Sequence, residues 1–143
     1  MRPYFLLDTC ILSEPVMRRP NADVMARILE HRHEVATAVP AWHEITYGCR
    51  RLPPSRKRTL IEDYLAATAS SGLPILPYDT AAATWHAAER ARLERAGALP
   101  SFVDGQIAAV AHSNDLVLVT RNVTDFQKFA GLRVENWFEP SES

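Results

Sequence analysis

Short apolar runs recur along the chain with helical patterns between them. The runs at residues 4–7 (YFLL), 35–39 (VATAV), 74–78 (PILPY) and 116–120 (LVLVT) are continuous rather than alternating, the signature of strands buried on both faces, and residues 133–136 supply an edge candidate. Between them, residues 40–51 open with a proline and carry Trp42, Ile45 and Cys49 at helical spacing. Residues 55–69 form a second helix behind Ser55, with Leu60, Ile61, Tyr64 and Leu65 as its apolar stripe. Asp79 or Thr80 opens an alanine-rich helix that runs to about residue 96, anchored by Trp85 and closed by Gly97. Ser101 and Asp104 stand in the S-x-x-D spacing that opens a helix ending at Asn114. Strands alternating with helices require a parallel sheet covered on both faces, which predicts a three-layer α/β/α sandwich with a central, mostly parallel sheet.

The chain has 143 residues, 47% hydrophobic and 23% charged, which excludes disorder and suits one domain spanning residues 1–143. Its two cysteines, Cys10 and Cys49, form neither a disulfide framework nor a CxxC metal pattern and fit a reducing, cytoplasmic setting. The apolar start is cut off by Asp8 well short of a signal-peptide core, and no later stretch approaches the roughly 20 residues of a spanning helix. Sixteen basic against 17 acidic residues give a net charge of −1, so any nucleic acid must be held by a local patch. The candidates are Arg50, Arg51, Arg56, Lys57 and Arg58, with Arg18 and Arg19 as a smaller second group; a solvated helix face explains either group equally well.

In open parallel sheets, ligands bind beyond the carboxyl ends of the strands. That selects Asp8, directly after the first run, and Asp125, just beyond the fourth. Glu44 lies in the first turns after the second run, and Asp104 begins the helix leading into the fourth. Each acid taken singly is as well explained by helix capping or solvation. Four converging acids would repel one another and call for cations; hard oxygen donors with room for water suit Mg²⁺ or Mn²⁺, the metals of assisted phosphodiester hydrolysis.

These residues resemble the PIN-domain ribonucleases, and among them the VapC toxins of bacterial toxin–antitoxin pairs. The resemblance is carried by LLDTCILSE at 6–14, E-x-x-x-G at 44–48, D-x-x-I-A-A at 104–109, T-R-N-x-x-D-F at 120–126 and ENWF at 135–138, in that order over nearly the whole chain. It implies a cytoplasmic, Mg²⁺- or Mn²⁺-dependent endoribonuclease whose acidic pocket is Asp8, Glu44, Asp104 and Asp125. Asp8 and Asp104 would be the principal metal ligands, and Glu44 and Asp125 would act through water or at a weaker second site. Thr120 and Asn122 are implied as polar support near Asp125, although a strand-ending Thr and a turn-forming Asn explain them equally. Ser13, with Glu14, either braces the pocket or caps a short helix. The resemblance also implies water attacking in line to leave a 5′-phosphate and a 3′-hydroxyl. Its implied partners are an RNA substrate, a second copy in a homodimer, and a VapB-type antitoxin that inhibits the enzyme in a heterotetramer or larger assembly.

The five histidines match no HExxH or zinc-finger spacing, and His43 should point about 100° away from Glu44 around the helix. Cys10 reads as a small core residue, and Trp42, Trp85 and Trp137 read as core rather than RNA-stacking groups. Glycine-rich phosphate loops are absent. The rival readings are a PIN scaffold that binds RNA or antitoxin without cutting, and a receiver- or phosphatase-like domain. The second wants a further acid beside Asp8 or a late lysine, whereas the sequence has LLDTC and, after the fourth run, Arg121 and Asn122.

Overall fold

The computed structural model describes residues 3–139. Five strands, β1 (Phe5–Leu7), β2 (Val35–Ala38), β3 (Ile75–Leu76), β4 (Val117–Val119) and β5 (Val134–Glu135), form one sheet in the order β3-β2-β1-β4-β5. Every pairing is parallel, so the expected mostly parallel sheet is wholly so. The helices are α1 (Thr9–Leu12), α2 (Ala22–Glu30), α3 (Val39–Arg50), α4 (Arg56–Ser70), α5 (Thr80–Arg95), α6 (Phe102–Ser113) and α7 (Val123–Phe126), with a 3₁₀ turn at Glu14–Val16.

The period-2 alternation of strand side chains sorts the core into two layers. Leu6, Ala36, Ala38 and Leu118 point to one face and pack with Ala82 and Leu93 of α5 and with Ile107, Ala108 and Ala111 of α6. Phe5, Leu7, Val35, Val117 and Val119 point to the other, against Ile11 of α1, Val24 of α2 and the fully buried Trp137. A smaller cluster of Leu12, Ile45, Cys49 and Leu65 fastens α3 and α4 to α1. No helix of the described residues is long and apolar enough to cross a membrane.

The caps follow the sequence closely. The Ser55 hydroxyl accepts the Arg58 N–H, Asp79 accepts that of Ala82, and Ser101 accepts that of Asp104. Gly97 sits at φ +69° just past α5, where a side chain would be strained. Three differences stand out. Each strand is shorter than its apolar run by a residue or more, although Tyr4, Pro74 and Thr120 at the run ends still bond to the neighbouring strands. Helix α2, with Asn21 as its cap, lies between runs where the sequence reading placed no bounded helix. Trp85 is only partly buried and stacks on the His112 ring at 4.4 Å.

A candidate acidic active site at the carboxyl ends of the strands

Register places the first acid. Leu7 of β1 pairs with Thr37 on one side and Val119 on the other, so the next residues, Asp8 and Thr120, emerge side by side where the chain diverges from β1 toward both flanks of the sheet. Asp8 is buried and capped from three directions. The Thr9 N–H donates to Oδ1 at 2.8 Å, the Thr120 hydroxyl donates to Oδ2 at 2.7 Å, and the Cys10 thiol lies 3.6 Å from Oδ2. The Thr120 oxygen in turn accepts the Asn122 N–H at 3.0 Å. Burial pushes the Asp8 carboxyl above the ordinary range, and the three hydrogen bonds pull it part of the way back.

Asp8, Glu44 and Asp104 line one cleft of about 520 Å³, with Thr9, Cys10, Arg121 and Asn122. Glu44 comes from the second turn of α3 and accepts the Thr9 hydroxyl at 3.2 Å. Asp104 stands in the first turn of α6 and is held above the usual carboxylate range, first by burial, then by the charge of Asp8, and to a smaller degree by those of Glu44 and Asp125. That mutual repulsion is what a divalent cation relieves. Among the described residues, no three His, Cys, Asp or Glu side chains are gathered so as to enclose an ion by themselves. The donors that line the cleft are hard carboxylate oxygens, of the kind Mg²⁺ or Mn²⁺ accepts one or two at a time while keeping several waters.

Asp125, on α7, sits at the margin of the cleft rather than in its wall. Its carboxylate accepts the Asn122 side-chain amide at 2.7 Å and lies 3.6 Å from the Lys128 ammonium. The Asn122 side chain thus holds Asp125, while the Thr120 hydroxyl holds Asp8 across the β1–β4 pair and accepts the Asn122 N–H. Ser13 does not reach the acids; its hydroxyl donates weakly to the Cys10 carbonyl at 3.5 Å. The buried Glu14 accepts the Asn21 N–H at 2.7 Å and closes the turn into α2. Cys10 packs against the Phe5, Leu7 and Trp137 core layer and also lines the cleft, and burial with the neighbouring Asp8 charge pushes its thiol up, which keeps it protonated.

The basic residues of positions 50–58 lie outside this cleft. Arg58 binds the Leu52 carbonyl and pairs with Glu62, Arg51 covers the Tyr47 ring, and Arg50 borders a separate hollow between α3 and α4. A second hollow, about 700 Å³, opens at the opposite, amino ends of β2 and β3 and has no carboxylate in its described lining. His43 stacks on Tyr47, one turn along α3 and away from the acids.

Two features were not read from the sequence. His86, buried on α5 with its Nδ1 2.8 Å from the Tyr78 hydroxyl, fills the space beside Gly105, where any Cβ would collide with its ring. The residue after Asp104 must be glycine for α6 to pack on α5. The second is Arg121, the one cation in the cleft wall.

The sequence profile of the PIN domain matches residues 5–132. The chain is 33% identical over 134 residues to the tRNA(fMet)-specific endonuclease VapC of Shigella flexneri, covering 93% of this chain and 97% of that protein. Among solved structures it resembles FitAcB from Neisseria gonorrhoeae, with a TM-score of 0.81 and 26% identity over 95% of this chain and 99% of that one. DNA-bound VapBC from Salmonella typhimurium superposes with a TM-score of 0.78 and 30% identity over 94% and 98% of the two chains.

Proposed function

The chain belongs to the PIN-domain family, among its VapC-type members, and from that membership we propose that it is the toxin of a toxin–antitoxin pair, an endoribonuclease dependent on Mg²⁺ or Mn²⁺. The observation that carries the reading is the gathering of Asp8, Glu44 and Asp104 from three separate elements into one cleft, with the ionised form of Asp104 opposed by its acidic neighbours.

Asp8 and Asp104 would hold the ion, with Glu44 and Asp125 contributing through water. When bound, the cation supplies charge neutralisation at the phosphodiester and an acidified water. The chain's own work is positional. Thr120, Thr9 and Cys10 fix both oxygens of Asp8, Ser101 fixes the turn that carries Asp104, and Asn122 aims Asp125. Beside Asp104, Gly105 leaves the space that the His86 ring of α5 fills.

The reading takes residues 1–143 as a single PIN domain, supported by β5, which lies beyond the matched segment yet joins the same sheet. It also takes the protein to be cytoplasmic. The partner is a VapB-type antitoxin, in keeping with the VapBC complex it resembles, in an assembly built on a homodimer. An arginine or lysine offered by the antitoxin to the acids would replace the metal's charge and silence the site.

The test is cleavage of end-labelled initiator tRNA, chosen from the name of the Shigella relative, and of unstructured RNA, by antitoxin-free protein. Cutting with Mg²⁺ or Mn²⁺ that is lost in EDTA and in Asp8→Asn and Asp104→Asn is expected. Folded protein that cuts neither RNA under any of these conditions overturns the nuclease reading in favour of a binding scaffold.

A further inference from the structure

We propose that Arg121 grips a phosphate of the RNA next to the bond being cut and so fixes the strand over the acids; this rests on the nuclease reading above. The cleft wall is otherwise acidic or neutral, and a polyanion entering it meets Asp8, Glu44 and Asp104. Arg121 is the one lining residue with the opposite charge, and it stands directly after Thr120, at the end of β4, beside the hydroxyl that holds Asp8.

Its placement is built rather than incidental. The backbone N–H of Arg121 points at the Cys10 sulfur at 3.5 Å, and the guanidinium sits over the Phe138 ring, its central carbon 4.4 Å from the ring centroid. Phe138 is itself held by its own N–H on the Asn136 side chain at 2.8 Å and follows the fully buried Trp137. A guanidinium held over a ring keeps its N–H groups available to meet phosphate oxygens in a two-pronged contact. The arginine and lysine ion pairs use Arg58, Arg92, Arg133 and Lys128, and among the described residues no carboxylate lies within pairing distance of Arg121. A long side chain already immobilised on a ring loses little freedom when it binds, so the contact adds affinity efficiently.

RNA is the better occupant than an acidic peptide, because a polyphosphate chain gains from releasing condensed counterions where Arg121 meets a phosphate, a gain a peptide carboxylate lacks. A phosphate contact made equally before and during the reaction appears in KM and leaves kcat nearly unchanged.

The experiment measures kcat and KM of antitoxin-free protein on the RNA it cuts, at several KCl concentrations, for wild type, Arg121→Ala, Arg121→Lys and Phe138→Ala. Arg121→Ala should raise KM about tenfold or more with kcat within about threefold, the loss expected for one charged contact. It should also flatten the dependence of log KM on log salt by about one unit. Arg121→Lys keeps the charge and should keep the salt slope while recovering part of the KM. Phe138→Ala should raise KM modestly with the slope intact. An unchanged KM and slope in Arg121→Ala, while Asp104→Asn abolishes cutting, overturns the inference and leaves the nuclease reading standing. The same holds if Arg121→Ala weakens only antitoxin binding. No cutting by the wild type overturns both.

Discussion

Replacing Thr120 by valine keeps the side chain's shape and removes one hydroxyl that serves two partners, donating to Asp8 and accepting from the Asn122 N–H. Thr120 is fully buried, so no water can substitute. A hydrogen bond to a charged group contributes about 1.5–3 kcal/mol and a neutral one about 0.5–1.5, which puts the loss at about 2–4 kcal/mol. At about 2.1 cal/mol/K per residue the chain unfolds with an entropy near 0.3 kcal/mol/K, so Tm should fall by about 7–13 °C at neutral pH. The deficit should depend on pH. Asp8 already has its pKa raised on folding, and Thr120 is one of the groups restraining that rise. A carboxyl raised on folding costs stability when ionised: stability falls as pH climbs from the unfolded value of 3.8 through the folded one, then levels. Valine moves the folded value higher still, so its deficit should be smaller near the unfolded value of 3.8 than at about pH 8. Thermal unfolding followed by circular dichroism at the two pH values, with Thr120→Ser as the control that restores the hydroxyl, decides the matter. A Tm within about 2 °C of wild type at pH 8, or a deficit independent of pH, would refute a hydroxyl acting on the Asp8 carboxylate.

Saturating Mn²⁺, at about 100 times its Kd, should stabilise the wild type by about 2.7 kcal/mol, a Tm rise near 9 °C, and should shift Asp104→Asn much less. In EDTA at neutral pH Asp104→Asn should be at least as stable as wild type, since its carboxyl is held high by burial and by like charges; an equal Mn²⁺ shift in both proteins would remove Asp104 from the ligand set. Glu89 is the opposite case: the Arg92 side chain and the Ala130 N–H hold its carboxyl low, so its stabilisation is present above 4.5 and lost as pH falls through the lower folded value. Glu89→Gln should lower Tm at neutral pH and flatten its fall on the acid side, and a parallel pH profile would argue against that pairing.

The strands were legible because a sheet covered on both faces needs uninterrupted apolar runs, and the caps because Ser55, Asp79 and Ser101 each have an N–H to satisfy three residues on. The candidate acids could be selected by a rule of position, carboxyl ends and the helix turns nearest them. What the sequence could not carry was lateral pairing. Thr120 and Asp125 are five residues apart, so support between them is the natural local guess, yet Thr120 meets Asp8, 112 positions away, because β1 and β4 are neighbours. His86 and Gly105 belong to the same class, a helix-to-helix contact with no local signature. The arginine-rich segment at 50–58 was conspicuous by composition, whereas Arg121 is a single residue whose meaning depends on a ring 17 positions later.

The sheet ends on both sides in strands of two residues, β3 and β5, each with too short a row of free backbone groups to template another strand. Addition of a partner's strand to this sheet is therefore disfavoured. Short edges of this kind favour contacts made by side chains of the helical layers over edge-to-edge growth.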